Sequence, residues 1–96
     1  MENFIAANRF CVHHHIEYSF LEALHQHGLI EINIIEEGPC IHEDTLPLLE
    51  KMVRMHYDLD INIEGIETVT HLLEQMQHMQ ERITHLQNKL SLYEHQ

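Results

Sequence analysis

Apolar residues fall at Val69, Leu72, Met76, Met79, Ile83, Leu86, Leu90 and Tyr93, alternately three and four apart, without one polar exception. This is the a/d repeat of a coiled coil, and it predicts one long helix whose apolar seam faces a partner helix. Asn62 is placed to cap that helix, with Glu64 and Glu67 in its first turns, where carboxylates complement the helix dipole. From Asn62 to Tyr93 such a helix would reach ~48 Å at 1.5 Å per residue. A globule of this length has a radius of gyration of only ~12 Å. The distal half must therefore be covered from outside, and the expectation is a homodimer through Val69, Leu72, Met76, Met79, Ile83, Leu86, Leu90 and Tyr93. His71, His78 and His85 all fall at heptad position c, a solvated stripe on the outside of the coil.

The chain before this helix reads as a small, mainly α domain, so that residues 1–60 form the head and 61–96 the stalk. Asn8 can cap a short first helix within Ala7 to Ile16, which the run His13-His14-His15 interrupts. Phe20, Leu21 and Leu24 lie on one face of a second helix, and Gly28 stands where a left-handed C-cap would stop it. Glu31 to Ile35 is β-branched and partly alternating, Glu36-Glu37-Gly38-Pro39 is turn chemistry, and Cys40-Ile41-His42 can return as a second strand. Together they make a hairpin, or wing. Asp44 can cap a third helix with Pro47 in its first turn, ending near Tyr57, and Asp58-Leu59-Asp60-Ile61 connects it to the fourth.

Charge narrows the function. Five Lys and Arg stand against sixteen Asp and Glu, a formal charge of −11 with eleven His counted neutral. Helix, turn, helix and wing is a DNA-binding arrangement, yet Phe10 through Leu49 contains no Lys or Arg and seven carboxylates: Glu17, Glu22, Glu31, Glu36, Glu37, Glu43 and Asp44. Phosphate contacts need cations or donors, and base edges are read by Arg, Asn or Gln. DNA binding is accordingly expected to be absent or very weak. Two cysteines cannot form a disulfide framework, and no leader pattern or apolar span of ~18 residues occurs, so a reduced, soluble, cytoplasmic protein with no membrane contact is expected.

Chemistry-bearing clusters are sparse. Cys11, His13, His14 and His15, with Cys40 and His42 on the wing, offer zinc-type donors but match no closed-site spacing, so neither a metal nor another cofactor is expected. There is no nucleophile motif, Gly-rich phosphate loop or HExxH, and no catalytic residue is assigned.

The order of elements, with the Leu59-Asp60-Ile61-Asn62-Ile63-Glu64-Gly65-Ile66 junction leading into the long helix, resembles the MerR-type winged helix-turn-helix. A narrower likeness rests on Arg9-Phe10-Cys11-Val12-His13, Gly28-Leu29-Ile30-Glu31, Ile41-His42-Glu43-Asp44, Arg54-Met55-His56-Tyr57-Asp58-Leu59, Gly65-Ile66 and the Leu/Met/Gln-rich last helix. These are similar to the chaperone-modulator (CbpM) family over roughly Ala7 to Leu92, departing at His14-His15-Ile16-Glu17, where related proteins carry a Gly-containing turn and a Ser or Thr cap. The resemblance implies a non-enzymatic protein that binds the J-domain of a DnaJ-type co-chaperone and inhibits it by competing with Hsp70 for a basic helix. The competing classes are a MerR-like transcriptional regulator and a plain coiled-coil module. For the J-domain surface the charge map favours the junction: Asp58, Asp60, Glu64 and Glu67 as a negative rim beside an apolar centre of Met55 and Tyr57.

Overall fold

A computed structural model describes residues 3–94. Its elements are β1 (Phe4–Ala6), α1 (Ala7–His14), α2 (Tyr18–Gln26), β2 (Asn33–Ile35), β3 (Gly38–His42), a 3₁₀ turn (Glu43–Thr45), α3 (Leu46–Tyr57) and α4 (Ile63–Glu94). The architecture is mainly α, a winged helix-turn-helix with a long C-terminal helix, as the sequence predicts. The wing is larger than expected. β1 pairs antiparallel with β3, Ile5 opposite Ile41 and Ala6 opposite Cys40, giving a three-stranded sheet of order β1-β3-β2. Phe4-Ile5-Ala6 is too short to show an alternation, so nothing local marks it as a strand.

The wing turn is also tighter than its Glu36-Glu37-Gly38-Pro39 signature. Ile35 pairs with Gly38 and Ile34 with Pro39, leaving Glu36 and Glu37 as the whole loop. Gly38 has φ +115°, a conformation that L side chains avoid, which is why the chain can turn so abruptly there. β1 pairs only with Cys40 to His42, so β3 is an edge at Pro39, the position where a residue without an N–H is tolerated.

α1 and α2 end alike. Gly28 (φ +73°) sends its N–H to the His25 carbonyl while Leu29 N–H reaches the Leu24 carbonyl at 2.9 Å, a Schellman closure of α2 as expected from the glycine. α1 closes the same way without one. His15 takes φ +56°, its N–H bonds the Val12 carbonyl, and Ile16 N–H bonds the Cys11 carbonyl at 3.0 Å. The histidine run therefore does not interrupt α1 at His13: His13 and His14 are its last turn.

Two expected caps are not used. β1 runs straight into α1, so Asn8 lies inside the helix and Ala6 holds the N-cap position with no side-chain bond. Asp44 lies in the 3₁₀ turn, where it is capped rather than capping: the His42 imidazole accepts its backbone N–H at 3.1 Å. The third cap holds, with Asn62 Oδ1 accepting the Gly65 N–H at 2.8 Å. Gly65 matters there because a Cβ on it would stand 2.6 Å from Ile61 Cγ2.

The core gathers between these elements, with Leu21, Leu24, Ile41, Leu49, Met52 and Ile66 fully buried. Burial along α4 stops abruptly. Ile66 and Thr70 are covered, but Leu72, Met76, Met79, Ile83, Leu86, Leu90 and Tyr93 are all exposed, and the molecule measures 59 × 33 × 21 Å.

Candidate protein-docking surface

The α3–α4 junction is built around an aromatic cluster. Phe20 on α2 stacks on His56 with ring centroids 4.7 Å apart and meets Tyr57 edge-on at 5.4 Å. His56 Nδ1–H donates to the Ile61 carbonyl at 2.9 Å, folding the connection back onto the end of α3. The connection turns at Asp60, whose φ of +59° is one that Asp and Asn adopt more readily than most residues. This local geometry presents Asp58, Leu59 and Asp60 together to solvent.

Of the predicted apolar centre, Tyr57 is partly exposed and remains available, but Met55 does not. It is 9% exposed and belongs to the core beneath the junction. Leu59 takes its place at 66% exposed, an apolar residue between two carboxylates. Met52, Met55 and Leu59 are three and four apart, so the apolar spacing of α3 runs on through Leu59 and nothing local distinguished the two. Glu64 is exposed in the first turn of α4, while Glu67 is engaged: His27 Nδ1 lies 3.0 Å from its Oε1, joining the end of α2 to α4.

The exposed residues of α2 and of the wing include carboxylates and no Lys or Arg. Ser19, Glu22, His25 and Gln26 are exposed on α2 and Glu17 at its N-cap, Glu36 and Glu37 are exposed at the wing tip, and Ile34 on β2 is 78% exposed. Every close contact between a carboxylate and a basic side chain among the described residues is made by a histidine, an ion pair only when the ring is protonated: His14–Glu50, His27–Glu67, His42–Asp44 and His78–Glu81. His42 Nδ1 also accepts the Asp44 backbone N–H at 3.1 Å.

The donors weighed for metal binding are dispersed. Cys11 and Cys40 are both buried free thiols, and burial pushes the Cys11 thiol above its ordinary pKa. His14 stacks on Phe10 at 4.1 Å and His42 is taken by its capping bond. Among the described residues no three His, Cys, Asp or Glu side chains are grouped to hold a metal ion, and no helix is long and apolar enough to cross a membrane.

Helix-turn-helix, three-stranded wing and projecting helix are accompanied by a match of residues 5–88 to the family model described as MerR HTH family regulatory protein. The chain belongs to that MerR family. Comparison with curated proteins returned no match, and neither did comparison with solved structures. Within this MerR framework α2 occupies the place of a recognition helix, and it carries Glu22, with Glu17 at its N-cap, and no Lys or Arg where a DNA-reading member needs cations.

Proposed function

We propose that this MerR-family chain is a non-enzymatic cytoplasmic modulator that binds the J-domain of a DnaJ-like co-chaperone and competes with Hsp70 for it. The observation that carries the reading is the absence of Lys and Arg from Phe10 through Leu49, the stretch holding the whole of α2 and the hairpin. A scaffold of DNA-binding shape with that charge attracts a basic protein surface and repels a phosphate backbone. Complementary potential speeds encounter and fixes register, and steric occupation of the basic helix is enough to inhibit. The docking surface we assign is Tyr57, Asp58, Asp60, Glu64 and Glu67, with Leu59 as the exposed apolar contact and Met55 supporting it from below.

The chain acts in two parts in this reading, residues 1–60 with the first turns of α4 as the docking head and the rest of 61–96 as a stalk that pairs with a second copy. Support for pairing comes from the exposure of Leu72 through Tyr93 along one seam, since a monomer rarely leaves so long an apolar stripe in water. Family membership favours a second reading, a transcriptional regulator. Calorimetry separates them: the purified J-domain binds with an affinity that falls as salt rises, while a chain that ignores the J-domain and shifts a DNA duplex is a regulator.

A further inference from the structure

β2 is the outer strand of the wing, paired with β3 on one side and with no strand on the other. Its pairs are Asn33 with Cys40, Ile34 with Pro39 and Ile35 with Gly38. In an antiparallel ladder, pairs that exchange two hydrogen bonds alternate with pairs that exchange none. Pro39 has no N–H to give, so Ile34–Pro39 is a pair of the second kind and its neighbours are of the first. The N–H and C=O of Ile34 therefore point away from β3, out of the sheet. No turn or loop bond among the described residues reaches either group, and the Ile34 side chain is 78% exposed.

Ile34 also continues the apolar side of the wing. Alternation puts it on the same face as Ile32, which packs against the core, and puts its partner Pro39 on the same face as the fully buried Ile41. The core ends before it reaches Ile34, which leaves an apolar side chain beside unpaired backbone groups. Proteins commonly blunt such an edge with Lys, Pro or a bulge. β2 reads Asn33-Ile34-Ile35 in unbroken register and has none of these.

Charge decides what can pair there. Glu31 stands just before the strand and Glu36 and Glu37 just after it, all three exposed, and no Lys or Arg occurs from Phe10 through Leu49. A second copy paired antiparallel about Ile34 would set Glu31 of one chain opposite Glu37 of the other, like charges across the ladder. A strand with cations at both ends meets attraction instead.

We propose that β2 is a strand-addition site for an extended, basic segment of a partner protein, with a β-branched residue opposite Ile34 and Lys or Arg on either side of it. Main-chain bonds at Ile34 supply the affinity, and the flanking carboxylates select the charge. The site does not rest on the J-domain reading, which concerns a helix docked at the α3–α4 junction.

The test is a ¹H–¹⁵N NMR titration of the full chain with the acetylated, amidated peptide Lys-Lys-Thr-Val-Thr-Lys-Lys. The same peptide N-methylated at its Val, and one with Glu in place of every Lys, are separate probes. The Lys peptide should move the Ile34 amide downfield, slow its exchange with solvent and bind with a Kd on the order of 1 mM. N-methylation removes the donor to the Ile34 carbonyl and should weaken binding about tenfold. Ile34→Pro removes the N–H where an edge strand tolerates proline, and should weaken binding about as much with a nearly unchanged urea midpoint. Should that variant not fold, the N-methylated peptide on the wild type decides alone. Equal binding of the N-methylated or the Glu peptide, or movement of the Asp58 and Leu59 amides in place of Ile34, overturns the site. An Ile34 amide already protected in the free chain, and more so as protein concentration rises, gives the edge to a second copy and overturns the basic strand.

Discussion

The Tyr57 hydroxyl accepts a hydrogen bond from the Glu17 backbone N–H at 3.3 Å, forty residues away in sequence. It ties the end of α3 to the turn between α1 and α2, the segment whose glycine-free closure depends on His15 in a left-handed conformation. Tyr57→Phe keeps the ring against Phe20 and removes only this bond. We expect the urea midpoint to fall, equivalent to ~0.5–1 kcal/mol, with an unchanged slope. An unaltered midpoint would mean the turn stands without the strut.

The exposed seam of α4 should associate. Ile83 lies at the centre of the a/d stripe and is half exposed in the single chain, so Ile83→Asp would bury an unpaired carboxylate in a dimer at a penalty of several kcal/mol. Analytical ultracentrifugation should find the wild type dimeric at tens of micromolar and the variant monomeric. A monomeric wild type at that concentration rejects the stalk as a dimer interface.

DNA should bind weakly at best. With Glu22 exposed on α2, Glu17 at its N-cap and Glu36 and Glu37 at the wing tip, a duplex mobility shift at ~50 mM salt should show nothing below roughly 10 µM, although low salt favours electrostatic binding. Sub-micromolar retardation would promote the regulator reading over the chaperone one.

At the junction, Asp58→Lys combined with Asp60→Asn should slow J-domain association and flatten its salt dependence, because rim charges act chiefly on the on-rate. Asn is chosen at position 60 since the backbone there has φ +59°, which a Lys would strain. Stopped-flow mixing is the measurement, and reversing Glu36 and Glu37 in the wing to Lys is the control, expected to do much less. Identical rates for wild type and both variants would move the interface elsewhere.

Burial raises the Cys11 pKa above its ordinary value, so the unfolded chain ionises this thiol at lower pH than the folded one. Stability from this group is full below the ordinary thiol pKa and is lost as pH rises through the raised, folded-state value. Urea midpoints measured upward from pH 7 should decline on the alkaline side, and the decline should be shallower in Cys11→Ala. Parallel curves for the two proteins would assign the alkaline loss to other groups.

The features legible in the sequence are those whose physics is local. The α4 stripe follows from residues three and four apart sharing a helix face, Gly28 from the conformation its turn needs, and the Asn62 cap from a side chain reaching three residues on. The cation-free stretch from Phe10 to Leu49 needed only counting. Tertiary structure decided what depends on distant partners. β1 exists because Ile5 meets Ile41, and His42 displaces Asp44 as a cap because the strand delivers its ring to the start of the 3₁₀ turn. Met55 and Leu59 are similarly apolar, yet one faces the core and the other water, since α3 ends between them and the chain reverses at Asp60. The contact between His27 and Glu67 was hidden for the same reason: the two are forty residues apart, and no periodicity along a chain encodes which helix end will pack against which helix face.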